Sequence, residues 1–193
     1  MPATDPTDPT AIRALAHPLR LDLLELLVAT SPATAAQCGR ALGVSQANCS
    51  FHLRQLAKYG FVEEAPPGDD KRERRWQVTD RHLTLSTVEM DPALAHEFGR
   101  VFVAREAERV LRYLGGLDKE SAEWRRGGGG MGTTLPMTAA EAAALKKQWR
   151  ALLAPFEERA AQQDHRLEEG QRYVRYYLAA TPLPTDSELG GEE

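Results

Sequence analysis

Apolar residues recur at three- and four-residue spacing near the start of the chain: Ile12, Leu15, Ala16, Leu19, Leu23, Leu26 and Leu27. That period predicts one amphipathic helix running to about Ala29, with Asp8 as its N-cap and Pro9 at the first helical position. Ser31-Pro32 ends it. A short helix is expected over Ala33 to Leu42, closed by Gly43, and another from a Ser45 cap through Tyr59, closed by Gly60. The period then changes to two. Residues 61–65 read as a strand, Pro66-Pro67-Gly68-Asp69-Asp70 as a turn, and Arg72 to Thr79 as a returning strand with Trp76 and Val78 on one face. The order is helix, helix, tight turn, helix, hairpin.

The second half opens with another Asp-Pro cap, Asp91-Pro92, which starts a helix to about Leu114. Its apolar positions are Leu94, Phe98, Val101, Phe102, Val110, Leu111 and Leu114. Gly115-Gly116 closes it, a shorter helix is expected over Lys119 to Arg126, and Gly127 to Gly130 forms a linker. Met131 to Leu135 reads as a strand. Thr138 and Glu141 form a capping box ahead of a helix with Leu145, Trp149, Leu152 and Phe156 along one face. Pro155 lies inside that helix and should kink it, because it removes the bond to the carbonyl of Ala151. Gln171 to Ala180, which holds Tyr173, Tyr176 and Tyr177, reads as a strand. The aromatic side chains of this half suit a core, a subunit interface or the lining of a small-molecule pocket.

Composition narrows the class. The chain has 193 residues, 42% of them hydrophobic, enough for a packed core. No window of 18 apolar residues exists, the Pro/Thr-rich acidic start lacks the features of a secretory signal, and two cysteines make no disulfide framework. A cytoplasmic protein with no membrane partner is expected. The net charge of −4 argues at first against a nucleic-acid partner. Dividing it changes that view, because residues 11–81 carry ten bases against eight acids while the rest of the chain is acidic. The run Lys71-Arg72-Glu73-Arg74-Arg75 is the most basic stretch of that segment.

The informative stretch is Ala33 to Thr79, where the two helices and the turn at Gly43-Val44 describe a helix-turn-helix. Cys49, Leu53 and Leu56 share one face of the second helix, with His52 beside them. Ala47, Ser50, Phe51, Arg54 and Lys58 share the opposite face, small and polar near the N-terminus and basic further along. Short residues permit close approach to a major groove, Arg54 can reach a phosphate or guanine, and Gln46 in the first turn suits adenine. Phe51 is placed to contact a thymine methyl.

Several runs together resemble the ArsR-type winged helix-turn-helix regulators. They are Ala-Leu-Ala-His-Pro-Leu-Arg at 14–20, Ala-Leu-Gly-Val-Ser at 41–45, Ser-Phe-His-Leu-Arg-Gln-Leu at 50–56 and Gly-Phe-Val at 60–62. The resemblance covers roughly residues 10–80, and the second half is similar to the extensions of some actinobacterial members. It implies a mainly α fold with small β, a winged helix-turn-helix DNA-binding domain at 9–81 and an α+β dimerisation and effector region at 82–181, while the residues themselves read as a disordered leader at 1–8 and a flexible acidic tail at 182–193. It also implies a homodimeric repressor on double-stranded operator DNA, released by a signal such as a small-molecule effector. The candidate DNA contacts are Ser45, Gln46, Ala47, Ser50, Phe51, Arg54, Arg72 and Arg74, the last two on the wing.

Other readings are weaker. Metal-sensing members of the family carry a Cys-x-Cys ahead of the recognition helix or paired Asp/His ligands on a C-terminal helix. Here the first is reduced to Cys38, and His96 with Glu97 and Glu106 lacks a second histidine at helical spacing, so no metal or other cofactor is expected. Cys38 and Cys49 take positions that carry core aliphatics in the family; a thiol switch between them is the alternative to simple packing. A winged-helix scaffold that binds protein instead of DNA is a second alternative. No phosphate-binding glycine loop, nucleophile elbow or paired metal motif marks the chain as an enzyme.

Overall fold

A computed structural model describes residues 8–66, 73–80, 90–162 and 167–184. The leader, the wing tip with Lys71 and Arg72, the link at 81–89 that contains the expected domain boundary, and the end of the tail lie outside them.

The expected single N-terminal helix is two. α1 (Pro9–Leu15) stops at Ala16, and α2 (Pro18–Thr30) starts afresh with His17 as its N-cap. Pro18 explains the break: it has no N–H to donate and disfavours helical geometry in the residue before it. The His17 ring accepts at Nδ1 from the Leu19 N–H at 3.2 Å. A two-residue strand, β1 (Ala33–Thr34), then precedes α3 (Ala35–Leu42), so the helix expected from Ala33 begins two residues later. Thr34 and Gln37 form a capping box there. α4 (Gln46–Lys58) follows, then β2 (Val62–Glu64) and β3 (Arg75–Val78).

The three strands form one antiparallel sheet in the order β1-β3-β2, with Trp76 opposite Ala33 on one side and Glu64 on the other. Trp76 and Val78 point inward and are buried, as the alternation predicts. They meet Leu23, Leu27, Leu53, Leu56 and Val62 in one continuous core, which also takes in Cys38 and Cys49.

α5 (Pro92–Leu114) starts at the predicted Asp91 cap, whose carboxylate accepts from the N–H groups of Ala93 and Leu94. It brings Leu94 and Phe98 to the core beside Ile12 and Leu15 of α1. A 3-10 turn (Leu117–Lys119), α6 (Ala122–Gly127) and α7 (Ala139–Gln162) complete the helices. The Thr138–Glu141 capping box at the head of α7 is present.

The strands expected at 131–135 and 171–180 are not formed. All described strands lie between residues 33 and 78, so the second half is helical with extended connections. Met131 to Leu135 is exposed throughout and has no strand beside it. The segment at 171–180 meets α5, α6, α7 and the turn before α6 instead. Arg172 forms a two-pronged bond to Glu120 and lies over the Trp124 ring, Arg175 and Tyr177 both meet Phe102, and Tyr176 meets Trp149. Alternation alone does not say whether a strand or a helix surface will receive the side chains.

Candidate nucleic-acid interface

The turn between α3 and α4 sets the geometry of the reading head. Gly43 ends α3 in the left-handed conformation, with φ of 68°. One turn earlier Gly39 is buried, and a Cβ there would lie 2.7 Å from the Val44 carbonyl oxygen and 3.3 Å from the Gln46 nitrogen. The start of α4 therefore rests directly on the α3 backbone. Gly39→Ala should push the two helices apart and cost about 1–3 kcal/mol, read as a lower urea midpoint at unchanged m-value.

α4 is divided along its length. Cys49, His52, Leu53 and Leu56 are buried, while Gln46, Ala47, Phe51, Arg54 and Lys58 are exposed and Ser50 is half-buried. The structure thus gathers the six candidate residues at 45–54 on one surface. Two have local engagements, the Ser45 cap that the sequence predicts and a Ser50 bond that it does not reveal. Ser45 is the N-cap and accepts from the Asn48 N–H at 3.2 Å, and Ser50 accepts from the Arg54 guanidinium at 2.8 Å. Arg54 therefore lies back along the helix. Phe51 is 49% exposed, an unusual position for an aromatic ring with only the adjoining His52 edge-on to it.

On the hairpin, Arg74 is exposed, 3.1 Å from Glu64 and over the Trp76 ring. Arg75 turns the other way and donates to the Pro32 carbonyl, tying β3 to the residue before β1. Arg72 falls outside the described residues.

Cys38 and Cys49 are both free thiols with no exposed surface. Burial, with Cys49 as a further influence, pushes the Cys38 thiol up to about 11. Burial raises Cys49 as well. Both are held as protonated core groups, the unreactive form.

A cluster behind α4 was not singled out by the sequence pattern. His52 lies with its ring centroid 4.4 Å from that of His17, and its Nδ1 accepts from Arg20 Nε at 3.3 Å. Arg20 also donates to the Ala14 carbonyl, so one guanidinium joins α1 and α2 to the back of the reading helix. The sequence signal was His17 and Arg20 set among apolar residues. Burial lowers both histidines from their ordinary value near 6.5, with Arg20 adding to the effect on each and His17 adding to it on His52. The unfolded chain consequently binds protons more readily than the folded one. Stability is full above about pH 6.5 and falls as pH drops through that value toward the lower folded ones. Urea midpoints at pH 7.5 and 5.5 should show the loss, and His52→Gln, which keeps an acceptor without titrating, should reduce it.

α5 is joined to α2 by charge. Arg105 bonds Asp22 at 2.7 Å and also Glu25, and Arg109 grips Glu25 with both terminal nitrogens. Burial alone would raise the Glu25 carboxyl, but the two guanidiniums hold it below its usual range. Glu106, 2% exposed, receives Arg175 at 2.9 Å and lies 3.5 and 3.6 Å from Arg105 and Arg109. Three carboxylates thus face three guanidiniums. Beside this network an open groove of about 880 Å³ runs between the start of α2 and α5, lined by Pro18, Asp22, Arg100, Val101 and Arg105 among others.

Among the described residues no group of three or more metal-binding side chains gathers, and no helix is long and apolar enough to cross a membrane.

A family model described as a helix-turn-helix domain matches residues 15–65. No curated protein matches the chain. Solved structures overlap it loosely. The zinc-responsive MarR family member ZitR of Lactococcus lactis is 18% identical, with 56% of this chain and 65% of that one covered and a TM-score of 0.34. The PcaV transcriptional regulator of Streptomyces coelicolor, in complex with its natural ligand, is 14% identical over 70% and 72% of the two chains, also at 0.34. An S. aureus MepR variant bound to an oligodeoxyribonucleotide is 17% identical over 74% and 87%, at 0.33.

Proposed function

We propose that this chain is a sequence-specific DNA-binding transcriptional regulator of the ArsR-like winged helix-turn-helix type, acting in the cytoplasm as a homodimeric repressor. The observation that carries the reading is the divided surface of α4. Its back is locked into the core, and its front offers Gln46, Ala47, Ser50, Phe51 and Arg54 to solvent in one patch. Gln46 and Arg54 supply the polar base or phosphate contacts, Ala47 and Ser50 permit close approach, and Phe51 covers a thymine methyl. Ser45 acts through its cap, placing the first turn with its N–H groups toward the backbone. Arg74, and Arg72 beyond it, belong to the wing and contact flanking phosphates or the minor groove.

In this reading residues 9–81 bind DNA, and 82–181 carry dimerisation and the response to a signal. The groove beside the Arg105–Glu25 network is the seat for a small effector, because anything lodged there bears on both halves at once. No metal or other cofactor and no catalytic step is required, and Cys38 and Cys49 serve as packing. A protein-binding role has one observation in its favour, the exposed ring of Phe51.

Selection of bound duplexes from a random pool, at physiological salt, separates the two. A DNA reader enriches a two-fold symmetric site with half-site centres about 34–36 Å apart. A protein-binding module enriches none.

A further inference from the structure

Two helices of the second half carry apolar seams that the described residues leave mostly uncovered. On α5, Val103, Ala107, Val110 and Leu114 follow a 4-3-4 spacing on the side away from Leu94 and Phe98, and all four are exposed. On α7, Leu145, Trp149, Leu152 and Phe156 repeat the same 4-3-4 spacing. Every α7 side chain that is described is exposed except Trp149, Leu153 and Ala154, which are half-buried. The seams are equal in length and in phase, and that phase is the one by which helices pack knobs into holes. A 24-residue helix with such a stripe and so little cover is incomplete by itself.

We infer that α7 of one copy lies antiparallel along the α5 seam of a second copy, so that the two chains exchange their C-terminal helices. The inference deepens the homodimer proposed above and rests on it. Antiparallel alignment makes four layers, each joining a larger side chain to an equal or smaller one: Leu114 with Leu145, Val110 with Trp149, Ala107 with Leu152, and Val103 with Phe156. The α5 seam stops where it should, since Arg100 and His96 occupy the same face one and two turns earlier. A second copy is the occupant because both seams stand largely open among the described residues, and two-fold symmetry covers both at once. The exposures support the size. Val103, Val110, Leu111, Leu114, Leu145, Leu152 and Phe156 are each 42–67% exposed. At roughly 150–200 Å² per large side chain, they offer about 700 Å² per chain, close to the roughly 800 Å² that each partner buries in a stable interface. The segment at 171–180 follows α7 onto this surface, with Tyr176 already edge-on to Trp149 at 5.8 Å.

The test uses the full chain in two differently tagged forms, one with Ala107→Cys and the other with Leu152→Cys, co-expressed and mildly oxidised with copper phenanthroline. The native thiols are buried and do not compete. The expected product is a disulfide joining the two tags, within a species of dimer mass by light scattering. The pair Leu114→Cys with Leu145→Cys guards against a local packing defect and should link in the same way. A dimer that forms neither link overturns the exchange and leaves the dimer standing. Links only between like chains, or ring closure within one chain carrying both cysteines, overturn it too. A monomer overturns the exchange and the homodimer together.

Discussion

Gln46→Ala with Arg54→Ala lowers affinity for the selected site by about 30-fold or more. Each well-placed polar contact to a base edge is worth roughly 1–3 kcal/mol of discrimination, so two lost contacts give about 2–6 kcal/mol. The two single variants should differ in kind. Gln46→Ala relaxes sequence preference at one position in each half-site and hardly changes the salt dependence. Arg54→Ala weakens binding to all sequences if it holds a phosphate, and the salt slope then falls by about one unit per half-site. Neither touches the core, since both side chains are exposed, so the fold measured by circular dichroism stays as it is. Titration by fluorescence anisotropy at two salt concentrations reads both outcomes. Affinity unchanged in the double variant would favour a protein partner for this face.

The second large effect concerns Glu106. Glu106→Ala should cost about 3–5 kcal/mol of stability, because removing one member of a buried ion cluster leaves uncompensated charge. Arg175 would lose its partner in α5, and the Nε of Arg109, buried with no hydrogen-bond acceptor, would lose the nearby carboxylate. The urea midpoint falls, and the segment at 171–180 becomes accessible to limited proteolysis earlier than in the parent chain. Glu120→Gln, which alters the partner of Arg172 in the same segment, is the comparison. Its pair with Arg172 lies toward the surface, and its loss should lower the midpoint far less than Glu106→Ala does.

These two residues also mark what could be read from the sequence. The α4 surface was legible because helical period, cap and closing glycine all agree there, and the buried set Cys49, Leu53 and Leu56 falls on the expected face. The hairpin was legible for the same reason at period two. Glu106 was invisible: its burial depends on arginines at 105, 109 and 175, and on carboxylates over 80 residues away in sequence at 22 and 25. Nothing local distinguishes such a glutamate from one on a solvated face. The break at Ala16-His17 was legible in principle, since Pro18 stands in the middle of the apolar period, but an uninterrupted leucine stripe outweighed it. The strands expected at 131–135 and 171–180 show the opposite limit. β-branched and aromatic residues in alternation fit any half-buried extended segment, and whether a neighbouring strand exists is settled elsewhere in the chain.

The charge balance has a place in the account. The reading head is only slightly basic, so non-specific attraction to DNA is modest and selectivity must come from the α4 face and from paired half-sites. That makes the position of α4 on DNA the central claim. Asn48→Cys places a thiol on the exposed rim of α4, outside the proposed contacts, while the native cysteines stay buried. An iron chelate attached there, on the selected duplex, should cut the DNA at one short cluster in each half-site, the two clusters about one helical turn apart. Diffuse cutting, or none while the duplex remains bound, would contradict the account.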